Sequence, residues 1–469
     1  MTQSSAQGDS HADGRHGDSH VDVVVIGMGP GGEEVAGKLA DAGLTVVGVE
    51  RELVGGECPY WGCVPSKMMI RGSTLLTEAG RVGDYAGSAR VDPDLGPVAR
   101  RIRAEATDDW DDRVAVERFE GKGGQLVRGV AVLEAPGRVR VGDEVFLASR
   151  AVVVATGSEP VVPPIDGLAD GRYWTNREAI SATSAPESLV VLGGGAIGVE
   201  LAQMFARFGS AVTIVEAAER VLPPEEPEAS KVVTAALHED GLTLRMGTKA
   251  VRVSREDGAT QVHLEDGTSV SGAELLVSVG RRPRISGLGL DSVGVPSDAR
   301  ALSVDDRMRA GERLWAVGDV TGVGAFTHMA IYQAGIAIAD ILGNDGQPAD
   351  YRGLARVTFT DPEVGSVGLT EQAAREEGIA VRVGTAKVSS SARGWIHGPG
   401  GVGVIKLVED SDDGVLVGAT SCGPWGGEVL SMLTLAVHAR VPVTSLRTMI
   451  YAYPTFHRGV LDALTDLAG

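Results

Sequence analysis

Short runs of β-branched and aliphatic residues alternate with stretches of helical periodicity, beginning at residue 21. Residues 21–26 (VDVVVI) form an apolar run, residues 33–43 (EEVAGKLADAG) are compatible with a helix, and residues 44–49 form a second apolar run. Such runs are typical of strands that are buried on both faces of a parallel sheet. The order strand, helix, strand therefore predicts a βαβ unit.

The same order recurs in the middle of the chain. Residues 188–192 form an apolar run, residues 201–209 (LAQMFARFG) are compatible with a helix, and residues 211–215 form the next run. Further on, residues 402–407 (VGVIKL) have the pattern of an antiparallel strand, and an apolar helix is predicted near residues 426–440. These patterns predict an α/β protein with two Rossmann-like units and a C-terminal α+β region.

A G-x-G-x-x-G pattern directly follows the first predicted strand and consists of Gly27, Gly29 and Gly32. The first glycine permits a tight turn, the second lets the backbone approach a pyrophosphate, and the third allows close helix–strand packing. The start of the next helix offers N–H groups to phosphates. Glu50 lies 18 residues beyond Gly32, where a carboxylate can accept hydrogen bonds from ribose hydroxyls. We predict dinucleotide binding; glycines that serve packing alone are the alternative.

The second unit repeats this pattern with Gly193, Gly195 and Gly198, and Glu216 again lies 18 residues beyond the third glycine. Two matches at the same spacing predict two bound dinucleotides. Glu216 would accept hydrogen bonds from a 2′-hydroxyl but would repel a 2′-phosphate, so NAD(H) is favoured over NADP(H). Arg220 lies nearby and weakens this preference without reversing it.

Composition and charge narrow the function classes. The chain has 469 residues, which at about 150 residues per domain suggests about three domains. With 43 basic and 63 acidic residues its formal charge is −20, which disfavours binding to nucleic acid or to an anionic membrane.

The first residues carry no targeting signal. Residues 1–20 contain no apolar run, and no 18 uninterrupted apolar residues occur anywhere, so neither a secretory signal nor a membrane span is predicted. We expect a cytoplasmic protein with a disordered tail over residues 1–20. Loose metal binding by His11, His16 and His20 is the alternative for the tail.

Three cysteines are too few for a disulfide scaffold, so thiol chemistry should be local. Cys58 and Cys63 are separated by four residues in the segment GGECPYWGCVPSK, and Cys422 is expected in the core. A redox-active pair is the favoured interpretation, because the segment predicts a loop that enters a helix, and a helix start stabilises a thiolate. The alternatives are a zinc site, which would need two more ligands when only Cys422 remains among the cysteines, and two inert buried thiols.

From Val21 to the C-terminal segment, the chain resembles the class I pyridine nucleotide–disulfide oxidoreductases, the family of dihydrolipoamide dehydrogenase, glutathione reductase and mercuric reductase. Both glycine patterns and the C-x4-C-x-P-S-K segment carry this resemblance. Further matching motifs are Ala155-Thr156-Gly157, Gly280-Arg281-Arg282-Pro283, Ala316-Val317-Gly318-Asp319, residues 359–364 (FTDPEV) and Tyr453-Pro454-Thr455.

The resemblance implies that the first unit binds FAD and the second binds the nicotinamide cofactor, with no metal. Cys63 would face the flavin and Cys58 would exchange with substrate. Lys67 matches the family lysine beside the flavin ring and Glu200 its acidic partner, with an ordinary ion pair as the alternative. The resemblance also implies that FAD is bound by further residues, namely Ala155, Thr156, Gly157, Gly318 and Asp319.

The resemblance also implies a division of the chain into domains. Residues 21–159 and 284–349 would form the FAD domain, residues 160–283 the NAD(H) domain, and residues 350–469 a dimerisation domain. In the family, the last domain makes the homodimer and brings the segment at Tyr453 to the cysteines of the partner subunit. Each active site would then be shared between two subunits.

Two segments depart from the family pattern. The usual GGTCLNVGC is GGECPYWGC here, and Glu57 adds negative charge that would raise the pKa of the Cys58 thiol. Tyr453 replaces the histidine that handles the substrate proton, and Arg458 replaces its glutamate partner. A phenol with a usual pKa of about 10 is a poor base but can donate a proton. His457 could face the same site if the segment is helical.

We therefore predict an FAD-dependent, NAD(H)-linked enzyme that uses the Cys58–Cys63 disulfide to reduce or oxidise a specialised small thiol or disulfide. The alternatives are a flavin-level reductase of quinones or oxygen, and metal reduction of the mercuric reductase type. A binding or assembly subunit without turnover is a further alternative from a different class.

Overall fold

The computed structural model describes residues 18–169, 171–256 and 258–468. The backbone separates into two compact units. Unit 1 comprises the described residues up to Val54, Arg113–Gly157 and Arg284–Gln347. Unit 2 comprises Gly55–Asp112, Ser158–Pro283 and the described residues from Pro348 onward. Residues 55–112, predicted as part of the FAD domain, thus group with unit 2. The functional division into three domains stays a prediction.

The described residues form the strands β1 Ser19–Ile26, β2 Val46–Glu50, β3 Gln125–Arg128, β4 Ala131–Ala135, β5 Arg138–Val141, β6 Glu144–Val154, β7 Ser158–Pro160, β8 Ser188–Leu192, β9 Ala211–Glu216, β10 Thr243–Met246, β11 Ala250–Glu256, β12 Ala259–Leu264, β13 Ser269–Gly272, β14 Glu274–Val277, β15 Arg281–Pro283, β16 Arg309–Gly311, β17 Leu314–Ala316, β18 Ala355–Thr358, β19 Glu363–Gly368, β20 Val381–Lys387, β21 Val404–Asp410 and β22 Val415–Gly423.

The α-helices are α1 Pro30–Asp41, α2 Glu57–Trp61, α3 Cys63–Arg81, α4 Gly96–Arg101, α5 Arg113–Glu120, α6 Asn176–Ser181, α7 Ala196–Arg207, α8 Pro227–Glu239, α9 Thr327–Ile341, α10 Glu371–Glu376, α11 Ala392–His397, α12 Gly426–His438, α13 Val443–Thr448 and α14 Gly459–Asp466. A π-helical turn covers Ile102–Ala106, and 3-10 turns cover Val82–Asp84, Leu290–Val293, Gly318–Thr321 and Val388–Ser390.

Unit 1 is built on a sheet with the order β16–β17–β6–β1–β2–β3, to which β5 and β4 are added beside β6. Strand β1 runs parallel to both β2 and β6, and β17 runs parallel to β6. Val23, Val24 and Val25 are completely buried, because both faces of β1 are covered. The strand and helix predicted at the start of the chain are confirmed.

Strand β1 begins at Ser19, two residues before the predicted start. Ser19 and His20 pair with Phe146 and Leu147 of β6, so the prediction of disorder is wrong for these two residues. The prediction failed because both side chains are polar and exposed, and the backbone ladder alone holds them. Residues 1–17 of the predicted tail, which include His11 and His16, lie outside the described residues.

Unit 2 contains a second parallel sheet with the order β10–β9–β8–β14. Strand β8 pairs with β9 and β14, and its residues Leu189–Leu192 are buried. Helix α7 follows β8 and buries Val199, Leu201 and Phe205. The second predicted βαβ unit is therefore confirmed.

The C-terminal part of unit 2 forms an antiparallel sheet with the order β18–β19–β22–β21–β20. Helix α12 packs against β19 and β22, and its buried residues include Leu430 and Leu433. The predicted α+β region, its strand near residue 404 and its apolar helix are confirmed. No helix within the described ranges is long and apolar enough to cross a bilayer.

A buried ion cluster ties β21 to helices α8 and α10 within unit 2. The Lys406 Nζ lies 2.9 Å from Glu226 Oε2, 2.9 Å from Glu228 Oε1 and 2.8 Å from Glu371 Oε2, and its side chain is 3% exposed. Burial disfavours the ammonium, but hydrogen bonds to the three carboxylates outweigh this and raise the Lys406 pKa above its usual value. The cluster therefore depends on Lys406 for charge balance.

Lys406→Ala should reduce the free energy of unfolding by about 3 kcal/mol, because it leaves the buried carboxylate of Glu226 without its cation. Urea denaturation followed by tryptophan fluorescence measures this loss. Lys387→Ala on the neighbouring β20 is the control, since Lys387 is exposed, and it should change stability by about 0.5 kcal/mol or less. Equal losses in the two variants would contradict the stabilising role of the cluster.

Candidate functional site

The first glycine loop of unit 1 lies between β1 and α1. Gly27 has a φ of +91°, and a Cβ at this position would lie 2.5 Å from the Ala155 carbonyl oxygen. A Cβ at Gly32 would lie 1.9 Å from the Gly27 carbonyl oxygen. Gly29 is the N-cap of α1. The loop therefore tolerates no side chain at Gly27 or Gly32, and its turn directs the amide groups of the α1 start toward the carboxyl end of β1.

The second loop in unit 2 has the same geometry. Gly193 has a φ of +105°, and a Cβ there would lie 2.4 Å from the Ser278 carbonyl oxygen. A Cβ at Gly198 would lie 2.0 Å from the Gly193 carbonyl oxygen, and Gly195 is the N-cap of α7. Both glycine patterns thus form the same strand–turn–helix connection.

The two predicted acids hold equivalent positions against these loops. Glu50 Oε2 accepts a hydrogen bond from the Met28 amide at 2.8 Å, and Oε1 accepts one from the Glu52 amide at 2.8 Å. Glu216 Oε2 accepts one from the Gly194 amide at 2.5 Å, and Oε1 accepts one from the Ala218 amide at 2.7 Å. Each carboxylate therefore lies within the first turn of its glycine loop, at the end of the second strand.

Three loops of unit 1 meet at one edge of its sheet, because they follow the carboxyl ends of the adjacent parallel strands β1, β6 and β17. Residues 155–157 follow β6, where the Thr156 hydroxyl donates to the Arg284 carbonyl oxygen at 2.6 Å and Gly157 has a φ of +70°. Gly318 has a φ of +82° and its amide donates to Gln333 Oε1 at 2.7 Å, and Asp319 comes next. Ligands of open α/β sheets bind at such edges.

The two cysteines lie on consecutive helices of unit 2. Cys58 is half-buried on the five-residue α2, and Cys63 is exposed at the first position of the nineteen-residue α3. Gly62 lies between the helices. The predicted helix start at Cys63 is confirmed, but residues 57–61 before it form α2 where a loop was expected, and Gly62 alone separates the two helices. The dipole of α3 favours negative charge at its first residue. Cys422 is fully buried, as expected, and burial raises the pKa of its thiol to about 12.

Lys67 and Glu200 form an ion pair, with 2.7 Å between Lys67 Nζ and Glu200 Oε2. Glu200 Oε1 accepts a hydrogen bond from the Phe359 amide at 2.7 Å, and Lys67 Nζ lies 4.7 Å from the centre of the Phe359 ring. Lys67 is one helical turn beyond Cys63. Sequence reasoning noted the motif at Phe359 without assigning it a role, and the structure places it against the predicted pair.

The carboxylate of Glu57 is neutralised, which the sequence did not show. Its Oε1 accepts hydrogen bonds from Arg177 Nη2 at 2.5 Å and Nε at 3.1 Å, and its Oε2 lies 3.6 Å from Arg281 Nη2. Two guanidinium groups therefore face one carboxylate next to Cys58. The partners are more than 100 residues away in the chain, so no local signal could reveal them.

The C-terminal segment 451–458 is not helical, and α14 begins only at Gly459. The helical spacing that would have placed His457 on the face of Tyr453 is absent, because Pro454 disfavours a helical conformation of the preceding Tyr453. Tyr453 is 71% exposed, with the Arg458 guanidinium carbon 5.6 Å from its ring centre. His457 Nε2 lies 3.5 Å from Thr455 Oγ1. The structure of this chain alone does not join Tyr453 and His457 in one cluster.

Comparisons with known proteins agree with these observations. Residues 21–334 match the family model described as pyridine nucleotide-disulphide oxidoreductase, and residues 354–464 match the dimerisation domain of the same family. A dihydrolipoyl dehydrogenase of Thermus scotoductus is 34% identical, with 95% of this chain and 97% of that protein covered. A mercuric reductase of Staphylococcus aureus is 31% identical, with 96% of this chain and 83% of that protein covered.

Solved structures give the same result. The crystal structure of LpdA from Mycobacterium tuberculosis superposes with a TM-score of 0.84 at 27% identity, over 95% of this chain and 100% of that chain. The Cu(II) complex of the HOCl-induced flavoprotein disulfide reductase RclA from Escherichia coli gives a TM-score of 0.83 at 27% identity, over 95% and 99%. The chain therefore belongs to the pyridine nucleotide-disulphide oxidoreductase family and is a flavoprotein enzyme of the class that uses FAD and a pyridine nucleotide.

Proposed function

We propose that the enzyme is an NAD(H)-linked dithiol–disulfide oxidoreductase that passes electrons between a nicotinamide, FAD and the Cys58–Cys63 pair. Its substrate would be a specialised small thiol or disulfide. The observation that carries this proposal is the placement of Cys63 at the first position of α3, with Cys58 on the helix just before it. A thiol at such a helix start is stabilised as a thiolate.

The residues of unit 1 fit FAD. The Gly27 and Gly32 positions leave room only for backbone, and Glu50 lies at the loop where a ribose would be bound. The further FAD ligands would be Ala155, Thr156, Gly157, Gly318 and Asp319, which lie at the carboxyl ends of β6 and β17. FAD, when bound, would supply two-electron exchange between the nicotinamide and the disulfide.

The thiol chemistry belongs to the residues of the chain. In the reducing direction the Cys58 thiolate attacks one sulfur of the substrate disulfide, and the other substrate sulfur leaves as a thiolate. The Cys63 thiolate then attacks the Cys58 sulfur, which releases the second substrate thiol and re-forms the Cys58–Cys63 disulfide. Two electrons move from the enzyme dithiol to the substrate, and two protons reach the product thiols. The oxidising direction uses the same bonds in reverse.

Lys67 and Glu200 would tune the redox centre. The Lys67 ammonium is a cation held one helical turn from Cys63 by Glu200, and a cation beside a flavin ring favours its anionic reduced form. Glu200 is buried and also fixes the Phe359 backbone, so the pair has a defined position. An ion pair between two mobile surface side chains would not hold its cation at a fixed position.

Tyr453 would take the place of the missing histidine. A phenol with a pKa of about 10 keeps its proton at neutral pH, so it can donate a hydrogen bond or a proton to the leaving thiolate. His457 would assist as a base only if a partner subunit brings it to the cysteines. The absence of a His–Glu dyad argues for a substrate other than the usual ones of the family.

We also propose a homodimer with active sites shared between subunits. The dimerisation-domain match covers residues 354–464. Large apolar side chains in this part of the chain are strongly exposed, among them Trp395 at 78% and Ile450 at 96%. A second copy of the chain would cover them. A cytoplasmic location stays a prediction.

NAD(H) would be the preferred nicotinamide. Glu216 places a carboxylate in the second glycine loop, which suits a 2′-hydroxyl and repels a 2′-phosphate. Arg220 does not oppose it, because its guanidinium donates to the carbonyl oxygens of Leu222 at 3.1 Å and Pro223 at 2.7 Å.

Cys58→Ser should abolish NADH-dependent reduction of the probe disulfide DTNB, by about a thousand-fold or more, because the attacking sulfur is removed. Reduction of menadione by NADH, which needs no cysteine, should persist. Both rates are followed by absorbance. Cys422→Ala is the control and should retain DTNB reduction, since Cys422 is buried in the core. Undiminished DTNB turnover in Cys58→Ser would support the flavin-level alternative instead.

The double variant Glu216→Ala/Ala217→Arg should raise the ratio of kcat/KM for NADPH over NADH by at least about tenfold, equivalent to about 1.4 kcal/mol. It removes the repelling carboxylate and adds a cation at an exposed neighbouring position. Steady-state kinetics with each cofactor measures the ratio. Ala217→Arg alone should have a smaller effect, and an unchanged ratio in the double variant would exclude Glu216 as the selective residue.

A further inference from the structure

Both ends of the helix that carries Cys58 are attached to the same two residues of α6. At the first end, the Glu57 carboxylate accepts hydrogen bonds from Arg177 and, at 3.2 Å, from Asn176 Nδ2. At the last end, the Trp61 carbonyl oxygen accepts a hydrogen bond from Asn176 Nδ2 at 2.7 Å. The Arg177 guanidinium carbon also lies 5.5 Å from the Trp61 ring centre.

An aromatic stack extends this attachment. The Trp61 ring stacks on Trp110 with 5.2 Å between ring centres and 19° between ring planes. The Arg103 guanidinium carbon lies 5.4 Å from the Trp110 ring centre, and Arg103 Nε lies 2.8 Å from Asp109 Oδ1. Asp108, Asp109 and Trp110 all have positive φ, a strained backbone that ordinary residues adopt only when neighbouring contacts hold it. The Trp61–Trp110 stack is therefore held in place by the Arg103–Asp109 pair and by the backbone of residues 108–110.

Helix α2 needs this support. Five residues cannot form a stable helix alone, because the entropy lost in fixing the first turn exceeds the stabilisation from its hydrogen bonds. Helix α6 is a firm anchor, because Thr175 caps it in a capping box with Glu178. Arg281 completes the anchor and is itself fixed by Ser158, at 2.8 Å from both its hydroxyl and its carbonyl oxygen.

The same contacts set the charge around Glu57, the residue next to Cys58 in the chain. Glu57, Arg177 and Arg281 together carry a net charge of +1, and removal of the carboxylate would leave +2. Other charged groups on elements packed against α2 are Glu178 on α6, Lys67, Arg71, Glu78 and Arg81 on α3, and the Arg103–Asp109 pair at the Trp110 ring. Glu178 serves the capping box and Lys67 pairs with Glu200, so these contributions stay constant when Glu57 or Arg177 is changed.

We propose that Glu57 is a positioning residue which, through Arg177 and Arg281, holds the Cys58 helix and moderates the positive charge beside its thiol. This inference rests on the proposed role of Cys58 as the exchanging thiol. Without Glu57, two guanidinium groups would lower the pKa of the Cys58 thiol. With Glu57 present, this lowering would be smaller, and the reduced dithiol would be less strongly favoured over the disulfide.

The test measures alkylation of Cys58 by iodoacetamide as a function of pH, in FAD-loaded protein that carries Cys63→Ser. Cys58 is then the thiol that reacts, since Cys422 is buried, and mass spectrometry assigns the site. Glu57→Gln should lower the pH midpoint of alkylation by up to about one unit, because the two guanidinium groups at residue 57 then lack their carboxylate. Arg177→Met should raise it, because one cation is lost. Glu57→Asp should restore a midpoint near that of the unchanged residue.

Glu78→Gln is the matched control. It makes the same charge change on α3, 15 residues beyond Cys63, which is about 22 Å along the helix axis. Screening over that distance should leave the midpoint unchanged.

Opposite shifts in Glu57→Gln and Arg177→Met support the proposal. Shifts in the same direction indicate that Glu57 acts by packing alone, and shifts no larger than that of Glu78→Gln show no coupling; either result overturns it. If Glu57→Gln fails to fold, the direction of the Arg177→Met shift still decides. Alkylation requires no turnover, so its outcome is independent of whether Cys58→Ser abolishes disulfide reduction.

Discussion

A short interruption in one helical path determines where both sulfur atoms lie. Helix α2 ends at Trp61, Gly62 separates it from α3, and α3 then begins at Cys63. This break gives Cys63 the first position of a nineteen-residue helix, where the dipole and the amide groups of the first turn stabilise negative charge. The same break leaves Cys58 on a turn that depends on contacts from elsewhere in unit 2. The two thiols therefore have different backbone supports.

The support of Cys58 comes from the part of the chain that carries the second glycine pattern. Asn176 and Arg177 of α6 bind both ends of α2, and Arg281 lies in the motif that follows β14. Lys67 on α3 is held by Glu200 of α7 in the same way. These polar contacts connect the cysteine segment to the region of unit 2 that carries the second glycine pattern. A conformational change in that region would alter the positions of the two cysteines through these hydrogen bonds and ion pairs.

The local features of the fold could be predicted from the sequence. The strand at residue 21, both glycine turns and the helix start at Cys63 follow from hydrophobic runs and from positions that only glycine can occupy. In contrast, the pairing of Glu57 with Arg177 and Arg281 depends on tertiary contacts across more than 100 residues. Ser19 and His20 extend β1 although their polar side chains resemble those of the tail. At Tyr453, a spacing of four residues suggested a shared helix face, but Pro454 disfavours a helical conformation of Tyr453 itself.

In the proposed reaction, electrons reach the substrate through the sulfur atoms of Cys58 and Cys63. Anaerobic titration of the purified flavoprotein with NADH, followed by rapid thiol alkylation and peptide mass spectrometry, measures the redox state of these two atoms. The oxidised enzyme should yield one peptide with a Cys58–Cys63 disulfide, and NADH should convert both residues to their alkylated forms. The same alkylation state of both cysteines before and after complete reduction by NADH would rule out electron transfer through them.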